Sequence, residues 1–357
     1  MSETDEPRRG AERTLALPAS TVPDPASAPG MRWGVISPGH IAGQFTATMH
    51  RATASRVVSV VSRSAQRAAE FAETHGIEHA GDSVEQMLER GGLDAVYIAS
   101  PHAQHHQLAR PVIEAGVPVL VEKAFTLNTA QARELLDLAR DRGVFAMEAM
   151  WARFLPQYDV LRRILADGLL GEIVEVAADH GQSFPVDPSH RMYAPALGGG
   201  ALLDLGVYPV SFAQRARGDL GELAGRGELT ETGVDAYMGL LARGERGGRA
   251  RLSATLRART PTEAVVSGTL GSARLSAPFF APGALTVSLL DGRTATFEHP
   301  GDRGDGMTYE IAEAARRITA GDLESPLMSW KDTLDVMGTM DAMRADLGVV
   351  YPGEESA

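Results

Sequence analysis

A glutamate and a lysine at the end of an apolar run are the clearest candidates for catalysis or ligand binding in this chain. Residues 119–121 are typical of a buried strand, and Glu122 and Lys123 follow directly. In parallel α/β sheets, ligands bind at the carboxyl ends of the strands. A lysine delivered there points its ammonium group at whatever binds over the sheet edge. A lone lysine after a strand is more often only a solvated strand end, so other residues must support the functional interpretation.

An aspartate and a tyrosine four residues apart provide further candidates. Asp204 and Tyr208 follow a glycine-rich stretch at residues 198–200, near the start of a predicted helix. The spacing of four places both side chains on one helix face. A phenol can donate or accept a proton, and its high intrinsic pKa favours the acid role unless a cation lies close. The structural alternatives are a helix N-terminal charge for Asp204 and a core aromatic for Tyr208.

A glycine turn lies between the first predicted strand and the first predicted helix. Ser37, Pro38, Gly39, His40 and Ile41, followed by an alanine, form a degenerate version of the dinucleotide-binding turn. Gly39 and the alanine fill its second and third small-residue positions, but Ser37 replaces the first glycine. The helix N-terminus that follows offers free N–H groups to a diphosphate. A simple strand–helix turn is the structural alternative.

The end of the second predicted strand indicates which dinucleotide is preferred. An acidic residue there would bind the adenosine ribose of NAD, whereas this chain has Ser62, Arg63 and Ser64. An arginine with two hydroxyls suits the 2′-phosphate of NADP. We therefore expect NADP, with NAD possible, although an exposed basic loop would look the same.

Three histidines follow the strand that is predicted to end near residue 99. His102, His105 and His106 invite comparison with a zinc site. A catalytic zinc needs about three protein ligands in a suitable geometry, and the sequence shows no second cluster to complete one. We therefore predict no metal.

Composition bounds the remaining possibilities. The chain has 357 residues, no cysteine and a net charge of −12. This length suggests two domains. The acidic balance argues against nucleic acid or an anionic membrane as a partner. No continuous apolar run approaches the ~20 residues of a membrane span, and a cysteine-free chain suits the reducing cytoplasm.

We expect residues 1–30 to form a disordered tail. Two different patterns of predicted strands and helices follow it. Residues 31–150 alternate short apolar strands with helices, which predicts a doubly wound parallel sheet of the Rossmann type. Residues 151–350 contain consecutive strands at about 235–241, 250–256, 263–268, 272–275, 285–289 and 294–297. This second pattern predicts an α+β domain with an open, mainly antiparallel sheet for substrate binding and oligomerisation.

Taken together, these segments resemble the glucose–fructose oxidoreductase, inositol dehydrogenase and rhizopine-catabolism (Gfo/Idh/MocA) superfamily. The resemblance runs from Arg32 to the C-terminus and depends on residues 32–36, 39–42, 94–102, 121–123 and 198–209. Residues 150–154, 198–209 and 278–280 look most like its trans-dihydrodiol dehydrogenase branch. The superfamily's Glu-Lys-Pro is Glu-Lys-Ala here, so Ala124 should leave the lysine less rigidly held.

The resemblance implies hydride transfer between a nicotinamide and a carbon of a sugar, cyclitol or cyclic diol that bears a hydroxyl or carbonyl. Lys123 is the first catalytic candidate because its ammonium can stabilise charge on the substrate oxygen, with Asp204 orienting it and Tyr208 as the acid. The resemblance also implies a small-molecule substrate and a homodimer or homotetramer. The full set of further candidates is, for the cofactor, Ser37, Pro38, Gly39, His40, Ile41, Ser62, Arg63, Ser64, Ser100, Pro101, His102, His105, Glu122 and Lys123; and, for the substrate, Arg153, Arg191 and Tyr193. For His105, anchoring of the following helix is an alternative.

Three other functions stay open from the sequence. An NAD-dependent glycosidase of the same superfamily would leave no net change in its cofactor. A cofactor-binding regulator would not need Lys123, Asp204 and Tyr208 together. A methyltransferase with a similar glycine turn is disfavoured by Glu122 and Lys123.

Overall fold

The computed structural model describes residues 15–354, and within them the first sheet has six parallel strands. Four of these strands are buried along their whole length, except for one exposed residue at the start of the first strand. Other elements must therefore pack on both faces of the sheet. The strand order is β3-β2-β1-β4-β5-β6, so the order reverses between β1 and β4. The strands are β1 (Arg32–Ile36), β2 (Arg56–Val61), β3 (His79–Gly81), β4 (Ala95–Ile98), β5 (Val119–Glu122) and β6 (Ala146–Ala149).

Five helices connect these strands in the described chain and have clear sequence reasons for their ends. Ser64, Ser83 and Asn128 cap the second, third and fifth with side-chain oxygens that accept backbone N–H groups. The helices are α1 (His40–Ala52), α2 (Ala65–His75), α3 (Val84–Arg90), α4 (His105–Glu114) and α5 (Thr129–Arg142). The predicted doubly wound sheet is confirmed.

The second sheet has eight strands in the described range, in the order β14-β13-β12-β11-β7-β10-β9-β8. Only β7 and β10 run parallel among these strands, so the predicted open, mainly antiparallel sheet is confirmed. Helix α6 (Pro156–Ala166) precedes it. The later elements are β7 (Ile173–Gly181), α7 (Val207–Arg217), β8 (Leu220–Leu229), β9 (Asp235–Gly244), β10 (Arg249–Thr255), β11 (Ala264–Gly268), β12 (Gly271–Leu275), β13 (Leu285–Leu289), β14 (Thr294–Phe297), α8 (Met307–Ala320) and α9 (Trp330–Leu347).

The sequence analysis did not predict strand β8, because its glycines and glutamates have poor strand propensity. The structure gives those glycines a packing role. A Cβ at Gly225 would lie 2.3 Å from the Met343 side chain, and one at Gly227 would lie 2.6 Å from Leu347. Both partners belong to α9, so the missing side chains let this helix lie directly on the strand.

The N-terminal stretch differs from expectation where it is described. Residues 15–30 pack on the protein instead of forming a disordered tail, and Leu15 and Ala28 are buried. The Thr21 backbone N–H donates to Asp159 Oδ2 at 2.7 Å, and Arg316 donates to the Asp24 carbonyl at 2.7 Å. These bonds anchor a segment whose composition alone offers little to bury. Residues 1–14 lie outside the described range.

The helical stretch Pro195–Arg217 is long and apolar enough to meet the criteria for a membrane span, with a mean hydropathy of 1.3 in its most apolar window. The sequence-based expectation overlooked it. Of that window, 89% is buried inside the protein, as in a core helix.

Candidate active site

A cleft of about 940 Å³ opens where the strands of the first sheet end and the second sheet begins. Ser37 follows β1 and Ser100 lies just beyond β4, so the cleft lies at the point where strand order reverses. Open α/β sheets bind ligands at this point. The volume is within the range of small-molecule and cofactor sites.

Lys123, Asp204 and Arg191 form a charged cluster on one wall of the cleft. Lys123 Nζ donates to the Asp204 backbone carbonyl at 2.9 Å and to its Oδ1 at 3.2 Å. The Arg191 guanidinium donates to both Asp204 carboxylate oxygens at 3.2 Å. The side chains of Lys123 and Asp204 are 15% and 9% exposed, so this pair is only weakly screened by solvent.

The protonation states of this cluster are set by opposing effects. Burial would lower the pKa of Lys123, but Asp204, Tyr208 and Glu122 together outweigh it and raise that pKa above its ordinary value. Burial would raise the pKa of Asp204, but Lys123 and Arg191 hold it well below its usual range. Lys123 is therefore an ammonium and Asp204 a carboxylate at neutral pH.

The glycine-rich segment before Asp204 fixes the position of this carboxylate. The Leu202 backbone N–H donates to Asp235 Oδ2 at 2.6 Å, at the start of the π-helical turn Leu202–Gly206. Gly200 has φ +119°, and a Cβ there would lie 2.2 Å from Asp235 Oδ1. Only glycine fits this position, which explains part of the glycine run.

Tyr208 lies next to Lys123 with its hydroxyl oxygen engaged as an acceptor. Trp151 Nε1 donates to that oxygen at 3.0 Å, and Lys123 Nζ lies 5.0 Å from the centre of the tyrosine ring. Phe280 stacks on Tyr208 at 4.4 Å. Burial raises the pKa of Tyr208 to about 12 despite the opposing charge of Lys123. The phenol is therefore neutral and keeps its own hydrogen for donation.

Two buried histidines hold the backbone behind Lys123. The ring nitrogens of His102 lie 2.9 Å from the Gly198 carbonyl and 3.2 Å from the Lys123 carbonyl. Those of His105 lie 2.9 Å from the Ala124 carbonyl and 2.8 Å from the Ser100 carbonyl. The Lys123–Ala124 peptide bond is cis.

These contacts change two expectations. The expectation that Ala124 leaves the lysine loosely held does not fit a fully buried alanine whose carbonyl is held by a histidine ring. His105 is itself fully buried and does not line the cleft, so its assignment to the cofactor site is wrong; it anchors α4 to the backbone after β5. His102 does line the cleft.

The glycine turn has the properties that a dinucleotide pyrophosphate needs. Gly39 is the N-cap of α1, and no described side chain caps this helix start. A Cβ at Gly39 would meet no described atom within 4 Å, so the backbone faces open space. Ser37, which replaces the first glycine, has φ +73°, a conformation in which glycine is normally favoured. Pro38, His40 and Ile41 line the same end of the cleft.

The segment after β2 and the first turn of α2 contribute two arginines to the cleft, not an arginine with two hydroxyls. Arg63 and Arg67 line it, and Arg67 also donates to the Pro38 carbonyl at 3.2 Å. The hydroxyl of Ser64 caps α2, and that of Ser62 accepts from the Ser64 backbone N–H. Both hydroxyls thus accept local backbone N–H groups, and neither serine lines the cleft. Arg67 was missed because it lies within a helix, one turn after Arg63.

Two of the predicted substrate residues have structural roles instead. Arg153 is buried; its guanidinium donates to Ser211 Oγ at 2.8 Å and pairs with Asp332 at 2.9 Å. Tyr193 is also buried, and its hydroxyl donates to the Phe184 carbonyl at 3.0 Å. Neither lines the cleft, so both assignments are wrong. Arg191 is the one of the three that does line it.

The structure brings together Lys123, Asp204 and Tyr208, as the sequence predicted, and places further residues beside them. Ser100, Pro101 and Glu122 also lie at the cleft, and Glu122 Oε2 accepts the Lys123 backbone N–H at 3.2 Å. The sequence analysis missed as site residues Trp151, His180, Gln182, Phe184 and Phe280. Trp151 and Phe280 lay within segments that carried the resemblance; the others gave no signal of their own.

Comparison with known proteins agrees with this geometry. Residues 31–150 match the model for the oxidoreductase family with an NAD-binding Rossmann fold, and residues 158–274 match the GFO/IDH/MocA C-terminal domain. The chain belongs to the Gfo/Idh/MocA oxidoreductase family. It is thus an NAD(P)-dependent oxidoreductase, as the resemblance implied.

Similar proteins indicate which branch of the family this chain resembles. The chain is 32% identical over 332 residues to trans-1,2-dihydrobenzene-1,2-diol dehydrogenase of Xenopus tropicalis, covering 90% of this chain and 99% of that protein. It is 33% identical over 338 residues to the Homo sapiens protein of the same name, with 91% and 99% coverage. A 3-ketoreductase from Actinomadura kijaniata, crystallised with NADP and TDP-benzene, is 27% identical with a TM-score of 0.79 and covers 88% of this chain and 97% of its own. The predicted resemblance to the dihydrodiol branch is confirmed.

Proposed function

We propose that this oxidoreductase uses NADP to interconvert a hydroxyl and a carbonyl group on a cyclic diol or sugar. The observation that carries the proposal is the meeting of Lys123, Asp204 and Tyr208 in the cleft that the glycine turn also lines. The residues fit the cofactor, because the open N-terminus of α1 and the space over Gly39 suit a pyrophosphate. When bound, the nicotinamide accepts or supplies the hydride.

Lys123 and Tyr208 each have a donor suited to the substrate oxygen. An ammonium has three hydrogens, and among the described residues Lys123 directs its bonds to two oxygens of Asp204. Tyr208 accepts from Trp151 and so directs its own O–H elsewhere. Two donors at one oxygen stabilise the negative charge that develops on it during hydride transfer.

Tyr208 is the proposed proton donor in the reductive direction and the acceptor in the oxidative one. Its pKa of about 12 is closer to the pKa of a substrate alcohol than the pKa of a carboxylic acid is. The Lys123 ammonium lowers the free energy needed to form the phenolate. Asp204 holds the ammonium in place and keeps it charged. The proposed roles are thus proton transfer for Tyr208, electrostatic stabilisation for Lys123 and positioning for Asp204.

The walls of the cleft support a ring-shaped substrate with hydroxyl groups. Trp151, Phe280 and Phe184 give apolar surface, and Phe280 and Trp151 rings lie 6.2 Å apart. Aromatic faces pack on the C–H faces of carbocycles and sugars. Arg191 and Gln182 add polar donors among these rings. The names of the related diol dehydrogenases agree with this class of substrate.

The preference for NADP over NAD is supported by the two arginines after β2. Arg63 and Arg67 are exposed at the end of the cleft that the glycine turn lines. Two guanidinium groups can neutralise a 2′-phosphate, which NAD lacks.

A panel of cyclic diols, cyclitols and sugars, each offered with NADP and with NAD, tests the proposal. We expect NADP reduction with at least one cyclic diol or sugar, and a loss of turnover in Tyr208→Phe of about 100-fold or more. A Tyr193→Phe variant, which removes a phenol outside the cleft, is the matched control. Product formation without net change in NADPH would instead support a glycosidase.

The open face of the second sheet supports a homo-oligomer, either a dimer or a tetramer. Tyr237 and Leu241 on β9 are 39% and 57% exposed on that face. Covering these side chains in a second copy would bury apolar area. Light scattering of the intact protein gives its mass in solution. A cytoplasmic location, expected from the cysteine-free sequence, is also part of this proposal.

A further inference from the structure

Two polar side chains of the cleft have no part in the proton handling described above. His180 is the penultimate residue of β7, and Gln182 follows that strand directly. Both line the cleft together with Tyr208. The inference drawn from them rests on the proposed function, because it concerns which substrates the same site accepts.

The position of these two residues is fixed by the sheet. The Gln182 backbone N–H donates to the Thr255 carbonyl at 3.0 Å, which continues the pairing of β7 with β10. His180 is only 2% exposed, and its ring packs against Tyr208 at 5.5 Å and Phe280 at 4.6 Å. The imidazole is therefore held beside the phenol that the proposed reaction uses.

The surroundings of His180 also fix its protonation state. Nδ1 lies 3.3 Å from the Leu205 carbonyl oxygen, which can only accept, so Nδ1 carries the hydrogen. Burial, with the positive charge of Lys123, lowers the pKa of His180 to about 4, so the ring is neutral at neutral pH. Its Nε2 is thus an acceptor, and the Gln182 amide nitrogen donates to it at 3.0 Å.

This pair offers what a second substrate hydroxyl needs. A hydroxyl donates one hydrogen bond and accepts others. His180 Nε2 has one lone pair, which the Gln182 amide occupies here. A substrate hydroxyl can insert between the two side chains, donating to Nε2 in place of the amide and accepting from the displaced amide N–H. Lys123 and Tyr208 are committed to the reacting oxygen, Arg191 donates to both carboxylate oxygens of Asp204, and the aromatic walls offer no acceptor for a hydroxyl. We propose that His180 and Gln182 bind the hydroxyl on the carbon next to the reacting one, so that the enzyme selects vicinal diols over simple alcohols.

The test compares vicinal trans-cyclohexanediol with cyclohexanol, using NADP and the intact protein. His180→Phe keeps a flat ring against Tyr208 but removes the acceptor. We expect kcat/KM for the diol to fall by about 10- to 100-fold, since a site built for a hydroxyl loses its bond. The value for cyclohexanol and the dissociation constant of NADP should change far less. Gln182→Leu should reproduce part of the selective loss, and His180→Gln, which returns an acceptor, should restore part of the diol preference.

The outcomes separate this inference from the function on which it rests. An equal fall for both substrates in His180→Phe would mean that the ring only packs against Tyr208, and would overturn the inference alone. An unchanged diol value would also overturn it. A wild-type protein that oxidises neither these substrates nor any member of the wider panel would overturn the proposed function, and this inference with it.

Discussion

Replacing Asp204 by asparagine should expose the electrostatic design of the site. The substitution preserves shape but removes the carboxylate between Lys123 and Arg191. At 3.2 Å, with an effective dielectric constant of about 20, the Lys123–Asp204 attraction is about 5 kcal/mol before desolvation. Removal of one partner from a buried pair typically costs ~3–5 kcal/mol. The side chain of Arg191 is 52% exposed, so its pairing adds little after screening.

The pH dependence of this loss follows from the two pKa shifts. The pKa of Lys123 is raised by folding, so its contribution to stability is complete below the unfolded value of about 10.4 and is lost as pH rises through the folded value. The pKa of Asp204 is lowered, so its contribution is complete above the unfolded value of about 3.9 and is lost as pH falls through the folded value. Asp204→Asn therefore loses stability across the whole neutral range.

Activity should reveal the same change on the alkaline side. With the carboxylate gone, the largest effect that opposes burial is lost, so the pKa of Lys123 falls although Tyr208 and Glu122 still raise it. The wild-type kcat/KM should stay flat as pH rises from about 7 to 10, because neither Lys123 nor Tyr208 titrates there. The variant should show a lower plateau and a fall within that window. The assay is kcat/KM against pH, with thermal unfolding measured in parallel.

Asp332→Asn is the matched control for this experiment. Asp332 pairs with Arg153 at 2.9 Å, and the arginine side chain is 1% exposed, away from the cleft. This variant should lose stability without acquiring the alkaline fall in kcat/KM. If Asp204→Asn keeps the wild-type plateau and its flat alkaline side, Asp204 does not hold Lys123 in its charged form and the reasoning fails.

Three further predictions test separate parts of the site. Lys123→Ala should abolish turnover while NADPH binding, followed by fluorescence, persists; unchanged activity would refute the assigned role. Arg63→Ala should weaken the binding of NADP by about 10-fold or more and that of NAD far less, because a charge-assisted hydrogen bond is worth ~1.5–3 kcal/mol. Equal losses of affinity for the two nucleotides would remove the case for a 2′-phosphate contact. Gly200→Ala should lower the free energy of unfolding by ~2–4 kcal/mol, since its Cβ would meet a carboxylate oxygen at 2.2 Å at φ +119°. Gly76→Ala, at φ +65° with no described atom within 4 Å, should cost only ~1 kcal/mol, so similar losses in urea unfolding would contradict the steric argument.

The sequence predicted best those features that depend on local patterns. The alternating strands and helices specified the parallel sheet, and the strand ends specified where Lys123 and Ser100 would lie. The spacing of Asp204 and Tyr208 placed them on one face, and both reached the cleft. In these cases the side chain's direction follows from the period of its own element.

The failures concern residues whose roles depend on partners far away in the chain. Arg153 looks like an exposed loop arginine, but Asp332 and Ser211 bury it. His105 has a polar ring, but carbonyls at Ser100 and Ala124 hold it inside the protein. The sequence around such a residue does not indicate a binding partner that lies far away in the chain.

The residues missed in the cleft share the same cause. His180 is the penultimate residue of β7 in the second sheet, and Phe280 lies on a loop a hundred residues later. Their rings meet at 4.6 Å because the order β13-β12-β11-β7 brings the loop after β12 near β7. Tertiary packing, not periodicity, assembles this wall of the site.

Transfer of a deuterium label tests the central claim most directly. The protein would be given deuterium-labelled NADPH and the carbonyl form of a substrate found in the panel, and the product would be read by NMR. The account predicts deuterium on the new carbinol carbon, NADPH consumed in equal amount, and neither result with Lys123→Ala. Product without deuterium, formed while NADPH is unchanged, would contradict hydride transfer to the substrate as the function of this cleft.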